Sequence, residues 1–220
     1  MMAHEQGKSD HAIQFGDARA IEDLLVKIAT NEAGIGRTLA QGIRHAAKVF
    51  GLEEQAVHVK GMEPAGYDPR VLKGMGLAYA ASDRGACHLR TTFYKPELAG
   101  MIDPKQMEGK AKLFIDFEDR LTLFDTLILC KFYRDLYPWE LLGEMITAAT
   151  GLDGSKENLS GIAQNVAAKA REFNLREGMT PSDETLAPAF YTPLKDSGAA
   201  ITKDEMDFML KDYQKIRNWT

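Results

Sequence analysis

Apolar positions recur along this chain at intervals of three and four, and that spacing predicts helices almost throughout. Ala18, Ile21, Leu24, Leu25 and Ile28 form a first stripe that starts after Asp17, with Glu22, Asp23 and Lys27 on the other face. Gly34 and Gly36 break it. A second stripe, Leu39, Ile43, Ala46, Ala47 and Phe50, stops at Gly51, the residue type suited to a left-handed helix end. The run 56–61, with Val-His-Val inside it, predicts a short extended piece, and EPAGYDPR over 63–70 predicts turns. Asp68 as a cap and Pro69 in a first turn predict a helix through Leu72 and Leu77 to about Ala81.

Residues 82–90, SDRGACHLR, read as a polar junction, and 91–109 as loop. The longest apolar helix is predicted over 110–136, its second half apolar nearly all round and therefore buried. Pro138 ends it; further helices are predicted over about 139–150, 156–173 and 203–216, with loop over 174–202. Alternating strand patterns are almost absent, so the fold class is all-α, an irregular multi-helix bundle. The division is a flexible tail over 1–12, one helical part over 13–90 and a second over 91–220.

Composition narrows the function classes. In 220 residues, 45% hydrophobic and 27% charged, the chain has the profile of a globular protein with a real core. The net charge of -5, with basic residues scattered among acids, gives no nucleic-acid footprint. No apolar leader and no membrane-length apolar run is present, so a cytoplasmic, membrane-free chain is expected. Two cysteines, Cys87 and Cys130, do not make a disulfide framework; reduced thiols stay free to bind metal.

Three stretches could carry chemistry. KGMEPAGYDPR over 60–70 is a structured connection or a binding loop. In RGACHLR over 84–90, Gly85 permits close backbone approach, Arg84 and Arg90 could clamp phosphate or carboxylate, and His88 could move protons near neutral pH. The plainer reading is a helix terminus with surface ion pairs. In FDTLILCK over 124–131, Asp125 needs a donor, and Cys130 is either a ligand or an inert buried thiol. Adjacent Cys87 and His88 lack zinc-site spacing.

Taken in order, FGD at 15–17, GIGRTLAQGIRHAAKVFG, KGMEPAGYDPR, GMGLAYAASDRGACHLR, Cys130, and the closing segments FNLREGMTPSDETLAPAFY and MDFMLKDYQKIRNW resemble the tungsten-containing aldehyde ferredoxin oxidoreductases over about residues 13–219. That resemblance implies oxidation of aldehydes to carboxylic acids at a tungsten (or molybdenum) ion held by two pterin dithiolenes. Electrons would leave through a [4Fe–4S] cluster to ferredoxin. It covers the two C-terminal helical domains only. It places His88 close to the metal as a proton-transfer residue. Asp125 to Cys130 matches a D-x-x-G-L-C/D segment, so Asp125 and Leu129 would meet a pterin, with Arg84 and Arg90 beside the cofactor, and Cys130 would ligate the cluster. The glycine of that pattern is Ile128 here.

A [4Fe–4S] cluster usually takes four cysteine thiolates. This chain supplies too few, and the family's upstream cysteine and aspartate segments are not in it. The expected partner is therefore the missing N-terminal portion or a separate subunit, together with ferredoxin and an aldehyde. Alone, the chain is expected to be inactive, to bind no cofactor, and to dimerise through bare helical faces. The alternative is a non-catalytic helical remnant or interaction module; a tungsten-dependent acyl-CoA-type reductase is a further one.

Overall fold

The computed structural model describes residues 1–219, and among these the regular structure is helical, with one isolated bridge between Val59 and Met62. The chain opens on α1 (Met2–Glu5), where a loose tail was expected; the Lys8 ammonium ties the segment to Gly51 O. The Asp17 side chain caps α2 (Ala18–Ala29) by accepting from Ala20 N. The second predicted helix is two, α3 (Ile35–Ala40) and α4 (Ile43–Phe50), because Gly42 takes φ +83 between them. Gly51, at φ +58, ends α4 as expected.

The central helix is α5 (Lys73–Ala81), in which every residue is buried. It starts later than Asp68-Pro69 suggested, because Asp68 Oδ1 is engaged by Arg70 N and Nε in a local turn. Gly74 and Gly76 let α5 lie close to its neighbours: a Cβ at Gly74 would sit 2.4 Å from the Phe93 ring, and one at Gly76 2.9 Å from Met206 Sδ. After the short α6 (Tyr94–Leu98), inside the expected loop, comes α7 (Lys110–Thr126). Then follow α8 (Trp139–Thr150), α9 (Lys156–Arg176) and α10 (Lys203–Arg217). Ser155 caps α9, and a reciprocal Thr202–Glu205 box caps α10.

Two cores share α7. Its first half, with Phe114, joins Met75, Leu77, Tyr79, Phe93, Met209 and Tyr213. Its second half, with Leu121 and Phe124, joins Trp139, Leu142 and Leu159 from α8 and α9. The first core draws on residues from both sides of 91–109. In the half expected to be apolar all round and buried, Leu127, Ile128 and Leu136 are exposed; α7 itself buries Glu118 and Asp119, which meet Arg217 of α10. It also ends ten residues earlier than the predicted 136, at Thr126. No helix among the described residues is long and apolar enough to cross a membrane.

Candidate active-site face

The C-terminal end of α7 is closed by two backbone bonds, Leu129 N to Phe124 O at 2.8 Å and Ile128 N to Asp125 O at 3.2 Å. This is the turn that normally carries glycine at its left-handed position. Here Ile128 holds that position at φ +58, with its side chain 92% exposed. The turn is therefore formed without the glycine, at the steric cost of a β-branched residue in the left-handed region. Leu129 turns back to pack on the second core, while Cys130 is exposed at the start of a one-turn 3₁₀ helix (Lys131–Tyr133). The reading of Cys130 as a buried, inert thiol is corrected: the buried thiol is Cys87.

Asp125, in the last turn of α7, finds its donors in two cations. Arg90 Nη1 donates to Asp125 Oδ2 at 2.5 Å, and Lys131 Nζ to the same oxygen at 2.8 Å. Arg90 also holds Asp83 through Nε and Nη2, at 2.9 and 3.0 Å, and Lys131 also donates to Leu89 O at 3.0 Å. The 82–90 junction and the Cys130 turn, remote in sequence, thus form one surface. Arg90 serves carboxylates of this chain, and the exposed Arg84 donates through Nη2 to Cys87 Sγ at 2.9 Å.

His88 is half-buried on the same junction. Burial first, then the Arg84 charge, holds its imidazole below the ordinary range, so it is neutral at pH 7. The Tyr67 ring leans on it, centroids 5.7 Å apart and planes 39° off parallel. Reading the chain alone missed Tyr67, although it sits in the EPAGYDPR stretch that stood out. The Tyr79 hydroxyl pins that stretch from below by donating to Tyr67 O (3.0 Å) and Ala65 O (3.2 Å). Next to this face lie Leu127, Ile128, Phe132, Tyr133 and Leu136, all exposed.

The family described as aldehyde ferredoxin oxidoreductase, domains 2 & 3, matches residues 1–220. The chain belongs to this family. It is 32% identical over 213 residues to the tungsten-containing aldehyde ferredoxin oxidoreductase of Pyrococcus furiosus, covering 94% of this chain and 35% of that protein. The Thermococcus kodakarensis enzyme of the same description gives the same identity and coverage. That of Pyrococcus abyssi is 32% identical over 220 residues, 97% of this chain and 36% of the relative. The chain therefore spans about a third of the length of the curated relatives it matches. About two thirds of each relative lies outside the match.

The donor set fits that division. Among the described residues no group of three His, Cys, Asp or Glu side chains could hold a metal ion. Cys130 offers one exposed thiol and Asp125 one rim carboxylate, with Cys87 sealed under Arg84. Such residues can donate single ligands or hydrogen bonds to a group held mainly elsewhere.

Proposed function

We propose that this chain is the helical wall of a tungsten or molybdenum oxidoreductase that converts aldehydes to carboxylic acids and passes electrons through a [4Fe–4S] cluster to ferredoxin. When bound, the metal–pterin centre would supply the two-electron redox change and the cluster single-electron transfer. Cys130 contributes one thiolate to the cluster. Asp125, steadied by Arg90 and Lys131, hydrogen-bonds a pterin, and Leu129 seats the turn that presents both. His88, neutral at pH 7, accepts a proton from the attacking oxygen of the substrate hydrate or water. Arg84 keeps positive charge beside the cofactor. The remaining portion of the enzyme, in the same or a separate chain, completes the site, and in its absence this chain is inactive.

The observation that carries this reading is the joining of the His88 junction to the Cys130 turn by Arg90–Asp125 and Lys131–Leu89 O, with Cys130 exposed beside them. The test is co-expression with the remaining portion of the enzyme, followed by an anaerobic assay of benzyl viologen reduction by aldehyde. Dye reduction that is lost in His88→Ala supports the reading; a stable complex with no cluster absorbance and no reduction overturns it. Ile128 at the left-handed position favours the alternative, a helical remnant that retains the fold and lacks the chemistry.

A further inference from the structure

His88 is reached from behind by a chain of side chains that leads back to the Cys130 turn. The Tyr67 ring that leans on His88 is stacked on its other side by Tyr94, at 4.0 Å and 8° from parallel. The Tyr94 hydroxyl accepts from Arg134 Nη2 at 3.4 Å. Arg134 is 7% exposed and sends Nη1 to Lys131 O at 2.6 Å, one residue from Cys130. Its Nε has no partner. The neighbouring residues repeat the link, since Lys95 pairs with Asp135. Two adjacent ties therefore hold the start of α6 to the turn after Cys130.

A buried guanidinium loses hydration that it can recover only from fixed acceptors. Arg134 has such acceptors in Lys131 O and the Tyr94 hydroxyl, so its place fixes both the turn and the Tyr94 ring. Parallel rings at this spacing resist rotation of either one, because turning a ring about its bond breaks the face contact. Tyr67 is in addition held at its backbone by Tyr79. The ring that shields His88 is thus clamped on one side and at its base.

We infer that Tyr94 and Arg134 are positioning residues that fix Tyr67 against His88 and mechanically join the proton-transfer histidine to the Cys130 turn. The inference rests on the proposed roles of His88 and Cys130, but its geometric part stands without them. The titratable and charged neighbours of His88 are Arg84 on its own junction and Tyr67 on the facing loop. Arg84 lies outside the Tyr94–Arg134 link, so its effect on His88 stays constant in the variants below.

The experiment is an NMR pH titration of the His88 ring in the full chain, for the parent, Tyr94→Leu and Tyr94→Phe. Tyr94→Leu removes the stack, exposes His88 and raises its pKa toward the ordinary imidazole range. Tyr94→Phe keeps the stack and loses the bond from Arg134, so it moves the His88 titration in the same direction as Tyr94→Leu but by less. Arg134→Lys, which retains the charge and loses the planar fork, quickens attack of the free Cys130 thiol on an added aromatic disulfide, which releases the aromatic thiol, and shifts the Tyr67 ring resonances. An unchanged His88 titration in a natively folded Tyr94→Leu overturns the inference. Should Tyr94→Leu not fold, unchanged Tyr67 resonances and Cys130 exchange in Arg134→Lys overturn it. None of these readings needs a cofactor, so an inactive assembled enzyme would defeat the functional proposal and leave this inference intact.

Discussion

Arg90 donates to Asp125 at 2.5 Å while it holds Asp83 with two further bonds, so one guanidinium spans the 82–90 junction and the end of α7. All three side chains are about a third exposed, so the energy is modest. Arg90→Met is expected to lower stability by about 1 kcal/mol, the range for partly exposed pairs. It is expected to lower cofactor retention in the assembled enzyme far more, because Asp125 loses its register. Chemical denaturation and metal analysis of the same variant separate the two effects; full retention would make the tie merely structural.

Ile128 is strained without compensation, since it sits at φ +58 with almost no packing. Ile128→Gly should stabilise the chain by about 1 kcal/mol, the usual penalty of a side chain in the left-handed region. The melting temperature should rise by about 2–4 °C for a chain of this size. A fall in melting temperature would show that the exposed isoleucine makes contacts the account omits.

Asp119 sets a pH dependence. Burial pushes its carboxyl from 3.8 to about 6, outweighing Arg217, whose Nη1 lies 2.7 Å away but outside hydrogen-bond geometry. Arg217 is also engaged by Glu118, which takes Nη2 at 2.6 Å and the Tyr213 hydroxyl at 2.8 Å. The folded chain thus holds the Asp119 proton more tightly than the unfolded chain. Its contribution is full below the unfolded value of 3.8 and is lost as pH rises through about 6. Relative to Asp119→Asn, the parent should lose on the order of 3 kcal/mol across that window. A stability difference that is flat with pH would refute the assignment.

Lys110 and Glu97 form the deepest ion pair, 2.5 Å apart with both side chains fully buried. Glu97 also accepts from Gly74 N, and Lys110 donates to Asp103 O and Pro104 O. Burial pushes the Glu97 carboxyl up, with Lys110 opposing. Lys110→Met leaves that carboxylate without its counter-charge and should cost about 3–5 kcal/mol. Equilibrium urea unfolding measures it; a loss under about 1 kcal/mol would mean that water or another cation reaches Glu97.

The helices that carry caps were legible in the sequence. Ser155 and the Thr202–Glu205 box set the starts of α9 and α10 close to their expected positions, and Gly51 ended α4. The failures came where a signal residue does a different job. Asp68 spends its side chain on Arg70, so α5 begins only at Lys73. The end of α7 was hidden because an isoleucine occupies the turn position that glycine would have marked. That same substitution made Cys130 read as part of a continuous apolar helix, and its exposure could not be foreseen. On the candidate face, the motifs singled out His88, Arg90, Asp125 and Cys130 as residues to examine, but not the Arg90–Asp125 bond or the Tyr67–Tyr94 stack. Those depend on how α5, α6 and α7 pack, which local spacing does not encode.

The most direct measurement is iron and acid-labile sulfide on this chain, alone and after anaerobic mixing with the remaining portion of the enzyme, for the parent and for Cys130→Ser. The account predicts about four irons per complex, appearing only on mixing and lost or reduced in Cys130→Ser. An iron content indifferent to Cys130, or no iron in any sample in which the two parts bind, would contradict it.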